Sequence, residues 1–221
     1  MKYKCLVLDH DDTTVDSTPC IHYPAFLKIL SMLRPDKYFT IEEFQTKNFS
    51  PGLISFYREE LSFTDEEMQT EYEVWQRFAA RIIPPFFPGM DKLIKNFKAS
   101  GGTLCVVSHS LEEFIVRDYD ASCVPRPDMI YGWVDDPSKC KPSPYPLREI
   151  MRITGYHPEE ILMVDDLKPG LEMAKACGVK FAACSWSYDI PLIHNTMKAQ
   201  ADYDLSSVKD LEQILFSGEQ L

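Results

Sequence analysis

The hydrophobic pattern of this 221-residue chain has two textures. Short continuous apolar runs occur within Lys4-Cys5-Leu6-Val7-Leu8, Leu104-Cys105-Val106-Val107 and Ile161-Leu162-Met163-Val164. Runs of that length without polar alternation read as strands buried on both faces. Between the first and second the texture changes, and from about Pro19 to Ile83 helical spacing dominates with no convincing strand. Thr40-Ile41-Glu42-Glu43 and Thr64-Asp65-Glu66-Glu67 fit capping boxes. Ser50-Pro51 reads as an N-cap followed by proline at the first helical position. Leu53, Phe56, Tyr57 and Leu61 then share one helical face. Pro84-Pro85 and Pro88-Gly89 close the stretch as a stiff connector.

Strands and helices alternate from there on. Met90 to Ala99 is amphipathic, and weaker strands are expected near Met129-Ile130-Tyr131, at Lys180 to Cys184 and at Tyr203-Asp204-Leu205. Helices are expected at Tyr145 to Ile153, Lys168 to Cys177 and Val208 to Leu215. Ser110-Leu111-Glu112-Glu113 predicts another capping box, with Ser110 as the N-cap of a helix that follows the second strand. Such alternation predicts an α/β fold, a doubly wound, Rossmann-like parallel sheet, carrying an inserted all-helical domain. The expected division is residues 1–16 and 87–221 for the sheet domain and 17–86 for the inserted helical domain.

The strand ends are where polar residues concentrate. The first run stops at Asp9-His10-Asp11-Asp12-Thr13, the second at Ser108-His109-Ser110, the third at Asp165-Asp166. Standing alone, the first of these is equally a solvated acidic turn, with Asp12 suited to an unusual backbone angle. In a parallel sheet, however, all three tips lie on one edge, where open α/β sheets bind ligands. Two carboxylates about 4 Å apart repel by roughly 4 kcal/mol at an effective dielectric near 20, so the cluster calls for a cation. Carboxylate oxygens suit Mg²⁺, and histidine–cysteine spacing for zinc is absent.

Charge and cysteine content narrow the classes. The net charge of −11 argues against a nucleic-acid or anionic-membrane surface, and an anionic substrate must be drawn by a local device. Seven cysteines in odd number, with no CxxC pair, fit reduced thiols in a cytoplasmic protein. No leader pattern precedes the first strand, and no apolar stretch approaches a membrane span. Carboxylates, a hydroxyl at Ser108, the helix N-terminus after it and the basic Lys141 together describe a phosphoryl-transfer site.

These motifs resemble the haloacid dehalogenase-like (HAD) superfamily of hydrolases. The likeness is to its phosphatase branch with a helical cap between the first two motifs, the phosphoglycolate phosphatase and beta-phosphoglucomutase-like group. The family's D-x-D-x-T matches Asp9-His10-Asp11-Asp12-Thr13, its strand-terminal Ser or Thr matches Ser108, and its K-P-x-P matches Lys141-Pro142-Ser143-Pro144. Its double acid matches Asp165-Asp166, with Gly170 where D-D-x-x-x-G relatives carry glycine. Asp12 stands where glycine is frequent and Thr14 where an aliphatic residue is usual.

The resemblance implies that Asp9 is the nucleophile, forming an aspartyl-phosphate, and that Asp11 is the general acid and base. It implies Mg²⁺ held by Asp9, the Asp11 backbone carbonyl, Asp166 and Asp165, with Ser108, His109 (through its backbone N–H) and Lys141 on the phosphoryl oxygens. The expected reaction is hydrolysis of a small phosphomonoester, the partner being a small phosphorylated metabolite. A phosphomutase of the beta-phosphoglucomutase type would keep the same core residues. A phospho-acceptor or phosphate-binding module is the non-enzyme alternative, though the order of its parts differs. In the cap, Lys47 and Arg58 are candidate specificity residues, against the simpler reading of surface side chains. His10 reads as a packed or hydrogen-bonded core histidine.

Overall fold

A computed structural model describes residues 1–216. The chain separates into two compact units, one of Met1–Asp16 with the described chain from Pro85 onward, the other of Ser17–Pro84.

The first unit is built on six parallel strands. In chain order its elements begin with β1 (Cys5–Leu8), after which the second unit contributes α1 (Tyr23–Leu33), α2 (Ile41–Lys47), α3 (Leu53–Ser55) and α4 (Asp65–Arg81). The first unit resumes with α5 (Met90–Ala99), β2 (Thr103–Val107), α6 (Glu112–Ala121), β3 (Met129–Tyr131) and α7 (Tyr145–Thr154). It continues with β4 (Ile161–Asp165), α8 (Lys168–Cys177), β5 (Lys180–Cys184), α9 (Pro191–Lys198), β6 (Tyr203–Leu205) and α10 (Val208–Phe216). The sheet order is β3-β2-β1-β4-β5-β6, so the winding reverses beside β1, which has β2 on one side and β4 on the other. A doubly wound sheet leaves its ligand crevice at that reversal.

All four residues of β1 are fully buried, as a strand covered on both faces requires. One face carries Leu6, Leu8, Leu104, Val106, Leu162 and Val164 against Leu93, Ile94 and Phe97 of α5 and Leu211 and Ile214 of α10. The register aligns Leu8 with Val106 and with Val164. One step further on, Asp9 donates its N–H to the Val164 carbonyl, which brings it level with Asp165.

The helical unit has its own aromatic core, with Phe26, Phe44, Phe56, Tyr57 and Phe63 buried together and the Phe26 and Phe44 rings stacked at 4.7 Å. Both threonine capping boxes form: Thr40 and Thr64 accept from the N–H of Glu43 and Glu67, whose carboxylates return to the cap N–H. Arg34, just past α1, donates to both Glu67 oxygens at 2.8 and 3.0 Å and to the carbonyls of Leu61 and Ser62, closing the unit across its loops. That guanidinium, with the Thr64 N–H, holds the Glu67 carboxyl down at about 2.

The expected N-cap at Ser50 is corrected. Ser50 is extended, but the regular helix α3 starts only at Leu53, behind Gly52 at φ +107°. That angle lies where side chains are disfavoured, and the glycine supplies the break that the Ser-Pro pair was read to supply.

Candidate active site

The turn after β1 is closed by its own polar residues. The Thr14 hydroxyl donates to the Asp9 carbonyl at 2.6 Å, and the Asp12 N–H bonds the Val15 carbonyl at 2.8 Å. Asp12 occupies the left-handed region at φ 55°, a conformation aspartate tolerates better than most residues. This turn fixes the carboxylate of Asp9 at the edge beside β4.

There the side chains converge. The Lys141 ammonium donates to Asp9 Oδ1 at 2.7 Å and to Asp165 Oδ2 at 2.6 Å, with all three side chains buried. Oxygens of Asp9, Asp165 and Asp166 lie within 4.8 Å of one another. Burial alone would lower the Lys141 pKa, but the carboxylates of Asp165 and Asp9 outweigh it and hold the ammonium above its ordinary value. Burial pushes Asp165 up to about 7 against the opposing pull of Lys141. Asp166 is raised well above the carboxylate range by burial first, and then by the charges of Asp165, Asp9 and Asp12.

One ammonium thus faces three carboxylates. Fully ionised, they leave two negative charges uncompensated in a buried place, and every donor is a hard oxygen. This set fits a divalent cation of the Mg²⁺ kind.

Each carboxylate is also steered by neighbours. Asp165 Oδ1 accepts from the Leu167 N–H at 2.8 Å, and Gly170 of α8 lies so near that a Cβ there would stand 2.1 Å from Asp165 Oδ2. Asp166 accepts from the Tyr188 hydroxyl at 2.8 Å and from the Thr13 hydroxyl at 3.3 Å. Burial and the Asp166 charge raise the Tyr188 pKa, keeping the phenol protonated as a donor. Sequence reasoning missed Tyr188, and it quoted Thr13 in the first motif without giving it a role. The polar-aromatic stretch Ser185-Trp186-Ser187-Tyr188 after β5 is the only signal that pointed to the former.

The tip of β2 adds its hydroxyl. Ser108 is buried, and its Oγ accepts the N–H of Ser110 at 3.1 Å. His109 projects differently: its ring donates from Nε2 to the Lys141 carbonyl at 2.9 Å and meets Trp133 edge-on. Desolvation of the ring and the Lys141 charge hold its pKa below the ordinary imidazole value. The imidazole therefore ties the Ser108 segment to the backbone of Lys141.

The capping box expected at Ser110 is not formed. The N-cap of α6 is Leu111, without a side-chain bond, and the Ser110 hydroxyl instead donates to Asp11 Oδ2 at 2.5 Å. Beside Asp11, His10 is buried, and its Nε2 bonds Asp118 Oδ2 of α6 at 3.1 Å, with Arg117 on the other Asp118 oxygen. A hydrogen-bonded core histidine is what its place in the strand end predicts.

The structure thus brings together Asp9, Lys141, Asp165 and Asp166, and sets Ser108, His109 and Asp11 on the same strand edge. Lys47 and Arg58 belong to the helical unit and are engaged there. Lys47 pairs with Glu60, and Arg58 pairs with Asp65 at 2.6 Å and donates to the Phe63 carbonyl.

A family model for haloacid dehalogenase-like hydrolases matches residues 6–184, spanning Asp9, Asp11, Ser108, His109, Lys141, Asp165 and Asp166. The chain belongs to that family. Among curated proteins it is 23% identical over 222 residues to the pyrophosphatase PpaX of Bacillus cereus, covering 97% of both chains. It is 23% identical over 195 residues to a phosphoglycolate phosphatase of Pseudomonas savastanoi pv. phaseolicola, covering 84% of this chain and 71% of the relative. Among solved structures, a haloacid dehalogenase-like family hydrolase from Streptococcus pneumoniae superposes with a TM-score of 0.74 at 17% identity, over 95% of this chain and 97% of that one. That likeness is one of fold. This haloacid dehalogenase-like hydrolase is an enzyme of the phosphatase kind.

Proposed function

We propose that this hydrolase cleaves a small phosphomonoester through an aspartyl-phosphate on Asp9, with Mg²⁺ as cofactor, in the cytoplasm. The observation that carries the reading is the buried Lys141 ammonium shared between Asp9 and Asp165, with Asp166 beside them. An isolated acidic turn has no reason to bury such a group. A site that must receive a phosphoryl dianion in a protein of net charge −11 does. The sheet unit is read as the catalytic core and the helical unit as a cap domain.

In this reading the Asp9 carboxylate attacks phosphorus while Lys141 and Ser108 hold phosphoryl oxygens. Asp11 gives its proton to the leaving oxygen, then takes one from the water that cleaves the acyl-phosphate. The Asp9, Asp165 and Asp166 carboxylates, with the Asp11 backbone carbonyl that the family resemblance implies, would hold the cation. When bound, the ion supplies the positive charge that the three carboxylates lack and offsets charge on the transferring phosphoryl group. His109 contributes by holding the Lys141 backbone in place.

Support for a small substrate comes from the relatives, one named for phosphoglycolate and one for pyrophosphate. Seven cysteines, none of them in a disulfide, agree with a reducing compartment, and among the described residues no helix is long and apolar enough to cross a membrane.

The test is phosphate release from a panel of small phosphomonoesters, with and without Mg²⁺, beside Asp9→Asn. Metal-dependent release that disappears in the variant is expected. Release that persists in Asp9→Asn would overturn the nucleophile, and a wild type that neither turns over any ester nor binds Mg²⁺ would overturn the site.

A further inference from the structure

One side chain leaves its expected local role right beside the candidate site. Ser110 stands where a capping serine belongs, and capping is worth about 1 kcal/mol to a helix. Yet α6 begins without it, and the buried hydroxyl reaches across 99 residues of chain to Asp11 Oδ2 at 2.5 Å.

The backbone that carries this hydroxyl is fixed from three sides. The Ser110 N–H donates to Ser108 Oγ at 3.1 Å, and the Ser110 carbonyl accepts the Trp133 N–H at 2.9 Å. Gly132 packs so closely that a Cβ there would lie 2.8 Å from the Ser110 carbonyl oxygen and 2.7 Å from the Glu112 nitrogen. A hydroxyl held this way is a built contact rather than a surface side chain meeting a neighbour.

We propose that Ser110 is the positioning residue for the proton-transferring carboxyl of Asp11. The inference rests on the acid–base reading of Asp11 given above. A hydroxyl is the partner such a group needs, because it donates to a carboxylate and, after rotating, accepts from a carboxylic acid. In the first half-reaction the Asp9 oxygen bonds to phosphorus and the bond from phosphorus to the ester oxygen breaks. The Asp11 proton goes to that oxygen, and the Ser110 hydroxyl then donates to the carboxylate left behind. In the second, water oxygen bonds to phosphorus, its proton returns to Asp11, and the Asp9–phosphorus bond breaks to free phosphate. Ser110 then accepts from the regenerated acid and neither gains nor loses a proton.

The role makes a prediction that mere support of the fold does not. An alkyl phosphate needs its leaving oxygen protonated, whereas p-nitrophenyl phosphate departs as a stable phenolate. The experiment measures kcat/KM, with Mg²⁺ present, for the best alkyl ester of the panel and for p-nitrophenyl phosphate. Wild type, Ser110→Ala, Ser110→Thr and Asp11→Asn are compared. Taking the alkyl-to-aryl ratio for each protein cancels any loss of folded fraction. Ser110→Ala is expected to lower that ratio at least tenfold, in the same direction as Asp11→Asn, and Ser110→Thr to restore most of it. If Asp11→Asn lowers the ratio and Ser110→Ala does not, the Ser110 role is wrong and the acid–base reading stands. If Asp11→Asn leaves the ratio unchanged, both fall.

Discussion

Gly170 and Asp165 are in contact closer than any side chain at position 170 would permit, since an added Cβ would stand 2.1 Å from Asp165 Oδ2. The carboxylate lies against the first turn of α8, accepts the Leu167 N–H and meets Lys141 from its other oxygen. A glycine inside a helix ordinarily destabilises it by about 1 kcal/mol relative to alanine. Here the usual sign reverses. Gly170→Ala is expected to destabilise by about 1–3 kcal/mol through overpacking and to lower phosphate release at least tenfold. Urea unfolding and initial rates measured on the same preparation check it, and a more stable, fully active variant would show that Asp165 has room to move.

Lys141 is a buried charge whose partners are buried as well. Breaking such an arrangement from one side costs about 3–5 kcal/mol because it leaves uncompensated charge. Lys141→Met is therefore expected to lose about that much stability in the presence of a chelator. Added Mg²⁺ should recover part of the loss by supplying positive charge to Asp9, Asp165 and Asp166. Unfolding curves with and without Mg²⁺ read this directly, and an undiminished stability in chelator would mean that the carboxylates protonate instead.

Tyr188 orients Asp166 from outside the cluster. Partners of that kind typically contribute 10–100-fold to metal affinity. Tyr188→Phe, which keeps the ring and removes only the donor, is expected to weaken Mg²⁺ binding about tenfold by calorimetric titration, before any substrate is added.

Glu71 gives the helical unit a pH dependence of its own. Burial raises its pKa to about 7, against the smaller opposing effects of a hydrogen bond from Tyr57 and the charge of His22. An unfolded glutamate releases its proton near 4.5. Between these values the folded chain binds a proton that the unfolded chain does not, so stability falls as pH rises. The contribution is whole below about 4.5, declines through the interval and is gone above about 7. Its size is at most about 3 kcal/mol. The stability of wild type minus that of Glu71→Gln should therefore decrease from pH 5 to pH 8, and a flat difference would place Glu71 in water.

Much of the fold was legible because its signals are local. Buried parallel strands need uninterrupted apolar runs, and β1, β2 and β4 have them. The threonine boxes at the starts of α2 and α4 formed because cap and carboxylate sit three residues apart and have few competitors. Ser50 failed as a start signal because Gly52 imposed a break of its own two residues later. Ser110 failed as a cap for a different reason: its hydroxyl turns to Asp11, a carboxyl group 99 residues away in sequence.

The candidate site divides along the same line. The sequence determined which strands end in Asp9, Ser108, Asp165 and Asp166, and the order in which Lys141 joins them, because strand ends are set by where apolar runs stop. Only the tertiary structure decided that Lys141 bridges Asp9 and Asp165, that His109 bonds the Lys141 carbonyl, and that Tyr188 and Thr13 aim Asp166. It also spent Lys47 and Arg58 on carboxylates within the helical unit. A hydrogen bond is made or lost within fractions of an ångström, and the strand order that brings these groups together is a property of the whole sheet. Residue type and spacing fix what a side chain is able to do. Which partner it meets is settled by packing between segments far apart in the chain.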